Sequence, residues 1–256
     1  MNTAATVEGV DLALCRSALY EALALGFRPP TQETVTRLAS AGGALALSDA
    51  AAVVDEGLAG RVLALAGPEG SSDLEAMAVS YRRLFGHTAR GPVSPYETEY
   101  GQDALFQQPQ EMGDLGGFLK AFGLALRADA HERIDHVSCE CEFLAFLARK
   151  EAYALTREDE AMAGETQRAG RLFLRDHLGH FGPTFARKLT REDRGGFYGA
   201  LGEFCLAFLV AECARLRVPP GSEFLQLRTV DFDDAPMACG TGSELLNIES
   251  PHDDAE

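Results

Sequence analysis

Apolar residues recur every three or four positions in segment after segment, glycine or proline closes the segments, and no β-branched run bounded by turn residues interrupts them. That periodicity restricts the chain to an all-α fold, a single globular multi-helix bundle. The stripe Val10, Leu14, Ala18, Leu19, Ala22 and Leu23 predicts a first helix that stops near Gly26, ahead of Pro29-Pro30. Thr31 caps a short second helix, and a third, starting near Ser48, buries Val53, Leu58, Val62, Leu63 and Leu65 before Gly67-Pro68. Ser72-Asp73-Leu74-Glu75 has the spacing of a capping box and opens a fourth helix, with Leu74, Met77, Ala78, Tyr81, Leu84 and Phe85 on one side. Beyond a long connection, a helix from Gln110 to Leu126 turns Met112, Leu115, Leu119 and Phe122 inward. Its Gly113, Gly116 and Gly117 are expected to admit a close neighbour. A helix from Ile134 to Leu155 follows. The next segment, with Leu172 and Phe173, is expected to stop at Gly179, Gly182 and Pro183, and a short helix then carries Phe185 and Leu189. Thr190-Arg-Glu-Asp193 reads as a second capping box, ahead of the stripe Phe197, Leu201, Phe204, Cys205, Phe208 and Leu209 that ends at Pro219-Pro220-Gly221.

The chain has 256 residues and is 46% hydrophobic, enough for a sizeable core without disulfides. Its net charge of -16 excludes nucleic acid as the main partner, because phosphate binding needs a basic surface. Eight of the acidic residues fall between Thr229 and Glu256, a stretch without Lys or Arg, so the expected division is a helical domain over 1–228 and a mobile acidic tail over 229–256. Leu245, Leu246 and Ile248 are the tail's one apolar cluster. No secretory signal is legible at the N-terminus and no apolar run approaches the ~20 residues of a membrane span. The six cysteines lack framework spacing, so free thiols in the cytoplasm are expected.

Chemistry concentrates in two places. From Ile134 to Leu147, helical spacing puts His136 and Glu140 on one stripe with Phe143, Leu144 and Leu147, although titratable groups are costly to bury among apolar ones. One reading is that Asp135 caps this helix while His136 and Glu140, at i and i+4, satisfy each other. The second place is the connection 86–109, where Pro92, Pro95 and Pro109 bracket Tyr96-Glu97-Thr98-Glu99-Tyr100-Gly101. A loop this long within a helical domain is more often functional than idle. Phosphate-binding glycine loops, paired Glu-x-x-His segments and a Gly-x-Ser-x-Gly elbow are all absent. Cys139 and Cys141 diverge on a helix and read as buried small hydrophobes, not as ligands. Neither a catalytic residue, a metal ligand nor a cofactor is therefore assigned. Aromatic and acidic groups together suit an apolar peptide that carries arginine. The alternative is a metal-dependent enzyme or small-molecule hydrolase built in a helical bundle.

Ser-Pro-Tyr-Glu-Thr-Glu-Tyr at 94–100, Asp-His-Val-Ser-Cys-Glu-Cys-Glu-Phe-Leu at 135–144, and Phe-Leu-Arg-Asp-His-Leu at 173–178 with Phe-Tyr at 197–198 resemble the TorD/DmsD/NarJ family of redox-enzyme maturation chaperones. The resemblance spans about residues 10 to 218. It departs from the family at Ile134, where Pro is common, and at Phe181, where the aromatic is often Trp. It implies a TorD-like all-α fold and a cytoplasmic chaperone. Such a chaperone holds the catalytic subunit of a molybdenum oxidoreductase of the dimethyl sulfoxide reductase type, or its twin-arginine signal peptide, until cofactor insertion and export. A homodimer is also within its range. The resemblance places client binding at Tyr96, Glu97, Asp135, His136, Glu140 and His177; Tyr100 and Phe143 complete the expected set, in a groove between the 86–109 loop and the helix from Ile134. There Glu97, Asp135 and Glu140 would meet arginines, and His136 would share a proton with Glu140.

Overall fold

Each apolar stripe forms a helix, although several bounds move. The computed structural model describes residues 3–67, 73–86, 91–101, 107–127 and 132–228. Among these are ten α-helices and no strand: α1 Thr3–Gly26, α2 Gln32–Thr34, α3 Ala41–Val54, α4 Glu56–Leu63, α5 Leu74–Phe85, α6 Gln107–Ala121, α7 Val137–Thr156, α8 Glu160–Asp176, α9 Leu178–Glu192 and α10 Phe197–Leu216. The tail from Thr229, with its apolar cluster, and Ser72 of the first capping box lie outside the described residues. Asp73 caps α5 by accepting from Glu75 N.

α1 packs along α7, α9 packs along α10, and one continuous core joins Leu19 and Leu23 of α1, with Phe27 just beyond it, to Phe143 and Leu147 of α7 and to Phe204 and Phe208 of α10. Among the described residues α10 alone is long and apolar enough to cross a membrane by length and composition, with a mean hydropathy of 1.5 over an 18-residue window, although Glu203 and Glu212 interrupt its apolar run. Its apolarity has another source. Leu201, Phe204, Cys205, Phe208, Leu209 and Cys213 are all fully buried among the other helices.

Several boundaries differ from the sequence reading. The expected third helix is two, because Asp55 breaks α3 from α4 and caps α4 through Gly57 N. Val53 and Leu63 are consequently exposed. Gly179, Gly182 and Pro183 do not stop a helix; they lie inside α9. The glycines let α9 approach α10, since a Cβ at Gly182 would come within 2.6 Å of Leu209 Cδ1. Pro183 has no N–H for the Gly179 carbonyl, and Gly221 N donates to that carbonyl instead at 2.8 Å. Thr190 is likewise inside α9, bonding back to Ala186 O, while Asp193 accepts from Tyr198 N and Gly199 N and so closes α9 and opens α10 at once. On α6, a Cβ at Gly113, Gly116 or Gly117 would meet nothing within 4 Å, so these glycines do not serve a close helix contact.

The buried face of α1 also differs from its apolar stripe. Leu14 is 48% exposed, whereas Arg16 is 5% exposed. Arg16 Nε donates to Glu212 Oε1 at 2.8 Å and its NH1 to Glu151 Oε2 at 2.7 Å; Tyr20 and Arg215 also bond the Glu212 carboxylate. Burial alone would push the Glu212 carboxyl up, but the charge and hydrogen bonds of Arg16, with those of Arg215, hold it down at about 2. A carboxylate depressed in the fold contributes stability that is present above its unfolded value and lost as the pH falls through the folded one. Arg16→Met is therefore expected to lower the unfolding free energy by about 3–5 kcal/mol at neutral pH. In urea titrations its deficit against wild type should shrink as the pH falls from about 4.5 toward the Glu212 value.

Candidate functional site

The connection before α6 is fastened to the start of α7 by backbone bonds. Val137 N donates to Pro95 O at 2.8 Å and Glu97 N to Asp135 O at 2.9 Å, so the loop and the helix entry form one unit. The side chain of Asp135 completes the fastening: it accepts from Thr98 Oγ1 at 2.7 Å and from both Nε and NH2 of Arg133, at 3.0 and 2.7 Å. Arg133 lies over the Tyr96 ring at 4.3 Å, and Tyr96 OH donates to Glu132 Oε1 at 2.9 Å. Burial together with the Glu132 charge raises the Tyr96 phenol to about 12. Tyr100 OH donates to Ser94 O at 2.7 Å inside the same loop.

His136, and not Asp135, is the N-cap of α7. Its Nδ1 accepts from Ser138 N at 3.1 Å, which leaves the ring proton on Nε2, facing Glu132 Oε2 at 3.8 Å. The two residues His136 and Glu140 are joined only through the backbone, Glu140 N donating to His136 O at 3.2 Å, so the i, i+4 side-chain pair expected from the sequence does not form. Burial lowers its basicity, against the raising influence of Glu132 and Asp135, and it is a structural cap, not a proton partner of Glu140.

Glu97, Glu140 and His177 gather beneath the loop. His177 Nδ1 lies 3.1 Å from each oxygen of Glu97, while its Nε2 is buried without a partner among Phe118 and Phe173. Burial raises the Glu97 carboxyl, and the hydrogen bond and charge of His177 oppose that rise. Glu140 is 1% exposed and neither of its oxygens finds a donor. Burial pushes it well above the usual carboxylate range, and the nearby charges of Glu97 and Asp135 add to the effect. Two ionised carboxylates can only accept; one proton on Glu140 makes it a donor toward Glu97.

Of the eight residues expected to contact a client, only Tyr96 is half-exposed; Glu97, Tyr100, Asp135, His136, Glu140, Phe143 and His177 are buried. Among the described residues, the loop is bonded to the entry of α7 at Pro95 and Glu97, with no groove between them there. Open space lies on the two flanks of the cluster. Between α6 and α7 is a cavity of about 360 Å³ whose lining includes Leu115, Leu119, Phe146 and Phe173 with Glu140 and Phe143. A second, of about 510 Å³, lies beside Glu97 and Tyr100 and is bordered by Glu111, Asp176 and His180. Cys141 is buried as expected, whereas Cys139 is half-buried and reaches the first cavity. Arg133, Thr98 and Glu132 were not singled out by the sequence reading; the alternation of charges at 132, 133 and 135 resembles any solvated turn.

Residues 46–187 match the family model described as nitrate reductase delta subunit. The chain belongs to this family of redox-enzyme maturation chaperones. It is 28% identical over 218 residues to the perchlorate reductase assembly chaperone protein of Dechloromonas aromatica, a match covering 82% of this chain and 94% of that one. It is 36% identical over 120 residues to the selenate reductase assembly chaperone protein of Thauera selenatis, covering 44% and 58% of the two chains. Chaperone protein TorD of Vibrio cholerae is 30% identical over 135 residues, 52% of this chain and 59% of TorD. Among solved structures, a putative redox enzyme maturation protein from Archaeoglobus fulgidus is 20% identical with a TM-score of 0.43, covering 76% of this chain and 93% of that one. The family assignment makes this chain a chaperone and not an enzyme, which removes the hydrolase and metalloenzyme alternative.

The Glu140 carboxyl gives the site a pH signature. A carboxyl raised in the fold contributes stability below its unfolded value and loses it as the pH rises through the folded one. His136, kept neutral by burial, runs oppositely, so the comparison must be between proteins differing only at Glu140. In urea titrations from about pH 5 to about pH 8, Glu140→Gln should gain on wild type as the pH rises, with a slope approaching about 1.4 kcal/mol per pH unit. A constant difference across that range would show that Glu140 is not protonated in the fold.

Proposed function

We propose that this protein is a cytoplasmic chaperone for the catalytic subunit of a molybdenum oxidoreductase of the dimethyl sulfoxide reductase type. It binds the subunit's twin-arginine signal peptide or unfinished fold and holds it until cofactor insertion precedes export. The perchlorate and selenate reductase assembly chaperones among its relatives support a client of this kind. The observation that carries the reading is the cavity between α6 and α7, whose apolar walls adjoin the buried Glu140, a carboxyl without a donor. An apolar segment with a basic residue fits that chemistry: Phe143 and Leu119 meet the apolar part, and Glu140 offers the charged group a partner.

The remaining residues of the proposed site act at shorter range. Tyr96 presents its half-exposed ring at the loop surface, and Glu97 and Tyr100 border the second cavity. Asp135, His136 and His177 hold the loop and the entry of α7 in place, so their contribution to client binding is to position Tyr96, Glu97 and Glu140. Net acidity adds a long-range attraction for a basic segment. Binding of this kind is stoichiometric and requires no turnover.

Co-purification with the candidate reductase subunit, followed by calorimetry with its signal peptide, tests the proposal. Leu119→Glu, which puts a charge on the cavity wall, and Glu140→Ala should each weaken peptide binding about tenfold or more, equivalent to about 1.4 kcal/mol. Circular dichroism should show both variants folded. Wild-type affinity in both variants would move the client elsewhere on the molecule.

A further inference from the structure

The cavity between α6 and α7 is apolar on its α6 side, where Leu115, Leu119 and Leu124 line it, and on its floor, where Phe143 and Phe173 do. Three carboxylates, Glu21, Glu140 and Glu142, border it against a single cation, Arg149. Two of the three are spoken for: Glu21 pairs with Arg149, and Glu142 with Arg28. Glu140 is different. It is 1% exposed, both of its oxygens lack a donor, and it stands where the apolar lining meets the Glu97–His177 pair.

We propose that this cavity takes an arginine side chain of the client, and that the guanidinium displaces one proton held between Glu140 and Glu97. The inference rests on the chaperone reading above and deepens it. In the empty cavity a neutral Glu140 spares the protein a buried, unpaired charge, which is costly among apolar groups. An entering guanidinium brings the positive charge that an ionised Glu140 needs. The proton leaves Glu140 for solvent as the cation arrives, so the net charge of the site is the same before and after. The methylenes of the arginine meet the leucines of α6, and its planar fork can bond both carboxylate oxygens.

The groups facing Glu140 agree with this exchange. Glu97 comes from the loop and is itself paired with His177, at the junction of α8 and α9. Asp135, at the entry of α7, is neutralised by Arg133. On α7 itself the neighbours are Cys139, Cys141 and Glu142, the last paired with Arg28 from the segment after α1. Cys205 of α10 lies behind Cys141. None of these supplies a free cation to Glu140, so an ionised Glu140 draws its counter-charge from the ligand.

The test is calorimetry of the full-length protein at about pH 7 with acetyl-Leu-Leu-Arg-Leu-Leu-amide, repeated in buffers of different ionisation enthalpy, with the neutral citrulline analogue as control. The arginine peptide should release about one proton per molecule bound. The citrulline peptide should bind without proton release, and Glu140→Gln, checked for fold by circular dichroism, should bind the arginine peptide more weakly and release none. Glu97→Gln is a second variant: without the neighbouring charge Glu140 ionises more readily, and release should fall below the wild-type value. Binding with no proton exchange in wild type, release that persists in Glu140→Gln, or no binding of the arginine peptide each overturns the inference. Co-purification with the reductase subunit reads the chaperone reading separately. Client capture without proton-linked peptide binding sinks this inference alone, and proton-linked peptide binding without client capture sinks that reading alone.

Discussion

The ion pair between Arg16 and Glu212 fixes the frame on which everything else is hung. An arginine and a glutamate with relative exposures of 5% and 0% would be a heavy cost if either stood alone. Here the guanidinium reaches two carboxylates, Glu212 of α10 and Glu151 of α7, and Glu151 is in turn bonded by Gln167 of α8. Four helices therefore converge on one satisfied network. Because the network is specific in direction as well as in partner, it sets the register of α7 against α1 and α10, which apolar packing alone would leave freer to slide. The entry of α7, where the loop docks, inherits that position.

At the entry itself, polar groups are used in two ways. Asp135 has donors on both of its oxygens, from Thr98 and Arg133, and with the backbone bonds of Glu97 and Val137 it makes the loop a fixed part of the bundle. One helical turn further on, Glu140 has none. A fold that satisfies one buried carboxylate so fully and leaves its neighbour without a donor has placed its imbalance beside a cavity, and an unsatisfied group there is a cost that a ligand can relieve. Recognition, which needs stored affinity and no turnover, is the use to which such an arrangement is suited.

The helical class, the stripes of α5, α7 and α10, and the break in rhythm before the 94–100 segment were all legible in the sequence, because periodicity and turn residues are local signals. The resemblance to maturation chaperones rested on those same segments and agrees with the family match. The glycines and proline of α9 were misread because a local rule, that they end helices, gave way to a distant partner: Gly221 supplies the bond that Pro183 denies, and Leu209 fills the space that Gly182 leaves. Thr190 failed in the same way, since the spacing of a capping box does not reveal whether the preceding chain is already helical.

The sequence by itself determined that the chain is helical, where most helices lie, and which two segments concentrate its aromatic and titratable groups. Only the tertiary structure decided what the titratable residues do. His136 and Glu140 share a helical stripe, yet one caps its own helix and the other is buried without a donor at the edge of a cavity. Arg16, which no sequence motif marks, is the centre of the core network. The reason is that protonation state and partner choice depend on burial and on groups many residues away, Glu212 for Arg16 and Glu97 for Glu140, and such proximity is a property of the packed helices, not of spacing along the chain.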